Sequence, residues 1–143
     1  METRSSMKSF CSVLRWVLAA IFLYAGAMKA WDPARFALDI ASYQLLPERV
    51  AVALALYLPW LEIVCGVFLL CKRCTSGALG ILMILTLLFL AALSSAWFRG
   101  VDVHCGCFGF SNAKASYAWM TGRDLVLFSA LLFCFKCYSK KGL

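Results

Sequence analysis

Two cysteines separated by one glycine, Cys105-Gly106-Cys107, are the residues of this chain best suited to chemistry. They lie in Val101-Asp-Val-His-Cys-Gly-Cys-Phe-Gly-Phe110, next to His104, the sole histidine. A disulfide across a single intervening residue closes a very small ring, and a strained, exposed disulfide is one that exchanges rather than braces. Gly106 and Gly109 open backbone conformations closed to other residues and allow a partner's backbone to come near. A protonated His104 would favour the thiolate of a neighbouring cysteine. Two other uses of the same residues stay open. One is a static disulfide to another cysteine on the same side; the other is zinc held by Asp102, His104, Cys105 and Cys107.

Further candidates lie outside this stretch. Cys71-Lys-Arg-Cys74 and Cys134-Phe-Lys-Cys137 are both C-x-x-C pairs, and each falls at the end of an apolar run. Together Cys71, Cys74, Cys134 and Cys137 suit a four-cysteine zinc site or a second dithiol relay, although cysteine also serves as a small apolar residue at helix ends. Cys11 and Cys65 read as packing residues of that ordinary kind. Glu62 is a carboxylate within an apolar run, and an ionisable group in a membrane span is a functional candidate. Lys29 and Arg123 are its candidate partners, and a buried ion pair that locks the bundle is the competing role.

These residues need a scaffold, and composition says which. The chain has 143 residues, a single-domain length, of which 64% are hydrophobic and 15% charged. The mean hydropathy is +0.84. A soluble domain of this size has too little interior to hide that much apolar side chain, so a membrane location follows. The net charge of +7 comes mostly from basic residues at the ends of apolar runs, where they set orientation. No basic stripe interleaves with aromatic residues, which argues against nucleic acid as a partner.

Four apolar runs are long enough to read as spans: about 13–31, 50–71, 77–98 and 122–138. The first follows a basic start and contains Ala25-Gly26-Ala27, which resembles a signal-peptide cleavage site. However, the run continues through Met28, Ala30 and Trp31, so an uncleaved spanning helix is expected. Asp32-Pro33 reads as an N-cap followed by proline at the first helical position. The segment Ala34 to Leu46 puts Phe36, Ile40 and Tyr43 on one face and Arg35 and Asp39 elsewhere, the pattern of a short interfacial helix. Thr121-Gly-Arg-Asp124 resembles a capping box that starts the last helix, leaving only about 21 Å of apolar helix after Asp124. The loops at 32–49 and 99–121 then share one side of the membrane.

Four spans place both termini on the other side, together with the 72–73 turn. That side carries Arg4, Lys8, Arg15, Lys72, Arg73, Lys136, Lys140 and Lys141, eight basic residues against six on the loop side. The excess favours cytoplasmic termini and an outward CGC loop, on the side where a disulfide persists.

Leu23-Tyr-Ala-Gly-Ala-Met-Lys-Ala-Trp-Asp-Pro33, Leu58-Pro-Trp-Leu-Glu-Ile-Val-Cys-Gly66 and Cys105-Gly-Cys-Phe-Gly109 resemble the MauE family of the wider DoxX-like group. The resemblance implies a four-helix protein of the bacterial inner membrane linked to methylamine utilisation. There it would help mature the disulfide-rich small subunit of methylamine dehydrogenase beside a thioredoxin-like partner, MauD. Position by position, it points to Lys29, Glu62, Cys105 and Cys107. The C-x-x-C pairs at 71–74 and 134–137 are additions to that pattern.

The expectation is therefore an all-α, up-down bundle of four membrane helices with a short interfacial helix after the first, 1–143 forming one domain. Its outer loop presents the Cys105/Cys107 dithiol to a thioredoxin-like protein or a maturing disulfide-containing substrate. One thiolate attacks the partner disulfide and the other resolves the mixed disulfide. Electrons would pass to a quinone or a second thiol pair. Two other classes compete: a non-catalytic membrane scaffold for a maturation factor, and a small proton-coupled transporter using Glu62. No internal repeat supports the last of these.

Overall fold

The apolar periodicity is realised as helix throughout the described residues, which in this computed structural model are 2–101 and 117–139. Five helices follow in order: α1 (Glu2–Trp31), α2 (Pro33–Ser42), α3 (Glu48–Cys71), α4 (Thr75–Phe98) and α5 (Tyr117–Ser139). Four of them, α1, α3, α4 and α5, are long and apolar enough to cross a membrane, so the chain is an all-α, multi-pass membrane protein. A helix satisfies its backbone polar groups internally, which lipid cannot do for it.

The spans pack as antiparallel neighbours, α1 against α3 and α5, and α4 against α3 and α5. In lipid there is no hydrophobic gain between helices, so close approach of backbones has to supply the association. Gly26 and Gly66 provide it between α1 and α3. A Cβ on Gly26 would stand 2.8 Å from Ile63 Cγ1 and 2.9 Å from the Pro59 carbonyl oxygen, and one on Gly66 would stand 2.8 Å from Leu23 Cγ. Toward the termini, Leu18, Ala19, Leu69, Leu79, Leu82 and Leu131 fill the core. At the opposite end Leu93 and Ala96 of α4 bury Met120 of α5.

Asp32 caps α2 as its sequence suggests, its Oδ1 accepting from the Arg35 backbone N–H at 3.0 Å. Phe36 and Ile40 lie against Ala51 and Ala55 of α3. Asp39, expected to point away from the packed face, is buried as well. The α2–α3 connection is tied to the far end of α4, where the Arg99 guanidinium donates to the Tyr43 and Gln44 carbonyls. At the other end, α3 reverses into α4 through three residues, with Lys72 and Cys74 both in the left-handed region at φ 54° and 49°.

Two boundaries differ from expectation. Helix α1 begins near Glu2 instead of residue 13 because its early turns pack too: Cys11 is buried and Leu14 joins the core. Helix α5 begins by Tyr117, so Thr121 is inside it and the proposed capping box is not its start. Burial of Met120 rewards the extra turn, and Asp124 pairs with Arg123 rather than capping. At 23 residues, α5 is about 34 Å long and spans the bilayer unaided.

Candidate functional site

The CGC stretch, with His104, Cys105 and Cys107, lies outside the described residues, as does the zinc alternative that includes Asp102. Its anchors are described: the segment leaves α4 after Phe98 and returns at Tyr117 of α5. Both anchors are at the end of the bundle that carries α2, and Val101 packs with the Leu93–Met120 cluster there.

Beneath that end sits the intramembrane pair. Lys29 arrives in the last turn of α1, and Glu62 faces it from the middle of α3, one turn beyond the buried Pro59. The Lys29 ammonium donates to Glu62 Oε1 at 2.7 Å, and both side chains are 4% exposed. Two rings enclose the ammonium: the centroid of Phe36 lies 5.1 Å away and that of Phe89 4.9 Å away. Ring faces attract a desolvated cation, so α2 and α4 both contribute to holding it. The other carboxylate oxygen, Glu62 Oε2, is buried with no hydrogen-bond partner among the described residues.

A cavity of about 50 Å³ adjoins the pair, lined by Lys29, Glu62, Thr86, Arg123 and Asp124 together with apolar side chains such as Phe89. A single water needs roughly 10–15 Å³ of such space, and drug-sized ligand pockets begin near about 300 Å³. The cavity therefore suits a few waters and falls short of a ligand-sized pocket. Arg123, the alternative partner for Glu62, donates to Asp124 Oδ1 at 2.9 and 3.0 Å and shares the cavity wall. The half of the bundle that carries α2 thus contains two acid–base pairs beside one small, mostly apolar cavity.

The cysteines at the opposite end are arranged differently from the four-cysteine expectation. Cys137 is joined to Cys11 in a disulfide, with Cα atoms 6.6 Å apart and 126 residues between them. Cys134 is a buried free thiol, whereas Cys71 and Cys74 are exposed free thiols on the α3–α4 turn. Among the described residues no group of three or more histidine, cysteine or acidic side chains converges as metal ligands do. In this structure Cys137 is bonded to Cys11, and Cys71, Cys74 and Cys134 do not converge into one ligand set.

Sequence reasoning missed Arg15. Its sequence position reads as a flanking charge, but its side chain is completely buried. Its guanidinium donates to the Leu69 carbonyl and, at 3.3 Å, to that of Leu70. Those carbonyls end α3, where the helix dipole presents partial negative charge, so a cation there caps the helix. Arg15 Nε and Nη2 find no partner among the described residues. A signal was available, since Arg15 sits between Val13-Leu14 and Trp16-Val17, inside an apolar run. The Cys11–Cys137 bond carried no such signal, because nothing local relates residues so far apart in the chain.

A family model described as methylamine utilisation protein MauE matches residues 7–136, nearly the full chain and all four spans. No curated protein and no solved structure matches it.

Proposed function

Since the chain belongs to the MauE family, and is therefore an accessory membrane protein of methylamine utilisation, we propose that its work is thiol–disulfide exchange carried by Cys105 and Cys107. The dithiol meets either a thioredoxin-like partner of the MauD kind or a maturing disulfide-containing protein such as the small subunit of methylamine dehydrogenase. One thiolate attacks the partner's disulfide to give a mixed disulfide, and the second thiol displaces the partner as the ring closes. The protein sits in the bacterial inner membrane with its termini in the cytoplasm and the CGC loop in the periplasm, the orientation favoured by the basic residues near the termini.

The observation that best supports this reading is the placement of the loop's two anchors. The dithiol is strung between the ends of two spanning helices, α4 and α5, which pack on each other through Leu93, Ala96 and Met120. Both described ends of the segment that carries the dithiol lie at one end of the bundle, the end a soluble partner would have to meet. The Lys29–Glu62 pair supports this platform by clamping α1 to α3, with rings from α2 and α4 around the ammonium.

Replacing Cys105 and Cys107 by serine together tests the reading against the scaffold alternative. Exchange predicts that the double variant accumulates in the membrane at the normal level but no longer supports formation of active methylamine dehydrogenase. Full activity from the double variant would favour a scaffold instead.

A further inference from the structure

Cys11, Cys71, Cys74, Cys134 and Cys137 all lie at the end of the bundle where the chain begins and ends, opposite the CGC loop. We propose that the Cys11–Cys137 disulfide is a second exchange site, reduced by a soluble dithiol protein of the thioredoxin class acting at that face of the membrane. The CGC function is not required for this proposal. Only the assignment of this face to the cytoplasm rests on the orientation given above.

Four observations carry it. First, the bond joins the opening turns of α1 to the closing turn of α5, with exposed Lys8 and Lys136 close by in sequence. Exposed lysines mark the headgroup level, so the bridge lies near the membrane surface, where a soluble protein docks. Second, the two sulfurs differ in access: Cys11 is buried at 6% exposure, whereas Cys137 is half-buried. An attacking thiolate therefore reaches Cys137 and expels Cys11. Third, Arg15 stands four residues after Cys11 on α1, so the two share a helical face with Cβ atoms about 5–6 Å apart. That guanidinium is completely buried and keeps Nε and Nη2 without partners among the described residues. A buried cation with unused donors on the same helical face favours the departing Cys11 thiolate. Better-stabilised thiolates leave faster. Fourth, a disulfide facing a reducing compartment is in most cases transient, catalytic or redox-sensing.

The chemistry balances with a dithiol as reductant. One partner thiolate attacks Cys137 Sγ, the Cys11–Cys137 bond breaks, and Cys11 leaves as a thiolate that takes up a proton. The partner's second thiolate then attacks the partner sulfur of the mixed disulfide and expels Cys137, which is protonated in turn. The partner finishes as a disulfide, and two electrons and two protons have passed to this chain.

The test uses the full-length chain in lipid nanodiscs with Cys105→Ser and Cys107→Ser, so that the loop pair cannot contribute. It is treated with thioredoxin, its reductase and NADPH, then denatured and labelled with a maleimide that shifts mobility for each free thiol. The expected result is a gain of two labelled thiols, Cys11 and Cys137. A thioredoxin lacking its resolving cysteine should be captured on the Cys137 peptide. Arg15→Gln should slow the exchange several-fold, while Arg15→Lys, which keeps the charge, retains the rate. The proposal is overturned if the bridge stays oxidised until the protein is denatured, if the capture falls on Cys11, or if both thiols are already free before reductant is added. Because the variant lacks the loop pair, failure here and failure of the CGC reading are read separately.

Discussion

At the residue scale the arrangement around Lys29 has energetic consequences that can be measured. The ammonium has one carboxylate oxygen and two aromatic rings around it, and both side chains are buried from bulk solvent. Removing one member of such a pair strands the other charge in a medium that solvates it poorly, at a cost of about 3–5 kcal/mol. Glu62→Gln should lower the unfolding free energy by that order in a denaturant titration of the micelle-bound protein. Replacing both residues with apolar ones, Lys29→Met with Glu62→Leu, should recover most of the loss, since a buried pair exchanged for packed side chains is often neutral or better. A double variant no more stable than Glu62→Gln alone would contradict the stranded charge as the source of the loss. Lys29 and Glu62 were legible because each is an ionisable group at the edge of, or within, an apolar run. Arg15 gave the same signal but was absorbed into the flanking-charge count, since charge bookkeeping does not say which way a side chain turns. Asp39 escaped for a local reason: three residues after Phe36 and next to Ile40, it lies on the same helical face, which packs on Ala51 and Ala55 of α3.

At the element scale, α1 and α3 are held by proximity rather than by bulk. The contacts a Cβ would meet at Gly26 and Gly66 are backbone and branched side chains of the facing helix, which have little room to give. Gly26→Val or Gly66→Val should therefore destabilise the bundle by about 1–3 kcal/mol through overpacking. In contrast, a Cβ on Gly77 or Gly80 of α4 meets nothing within 4 Å. Gly77→Ala and Gly80→Ala should be neutral or raise stability by roughly 0.4–1 kcal/mol, because alanine restricts the unfolded chain. Thermal melts of the four variants side by side distinguish the two classes, and equal melting temperatures across all four would refute the close-packing account. The helices themselves were readable from uninterrupted apolar runs, and Asp32-Pro33 marked the start of α2. The start of α5 was not, because Thr121 to Asp124 mimics a cap locally. What overrides it is the tertiary burial of Met120 against Leu93 and Ala96, which no local pattern records.

At the scale of the whole molecule, the bundle has two chemically distinct ends. One carries the α2 platform, the Lys29–Glu62 and Arg123–Asp124 pairs and the anchors of the CGC loop. The other carries the Cys11–Cys137 bond, the buried Arg15 and the exposed thiols of Cys71 and Cys74. Those exposed thiols report orientation. A membrane-impermeant maleimide should label Cys71 and Cys74 only from the cytoplasmic side, with the signal lost in Cys71→Ser/Cys74→Ser; labelling from outside would reverse the topology. The four-span architecture and the family were accessible from hydropathy and from the three motif stretches. The long-range disulfide was not, because pairing of residues 126 apart depends on α1 and α5 lying side by side. The central claim is that the CGC dithiol exchanges with a partner disulfide. It is tested most directly by expressing Cys105→Ser and Cys107→Ser singly and identifying what each captures under oxidising conditions. The account predicts that the variant retaining the attacking thiol accumulates a mixed disulfide with a thioredoxin-like or disulfide-containing protein of the periplasm. Recovery of no disulfide-linked partner from either variant would contradict it.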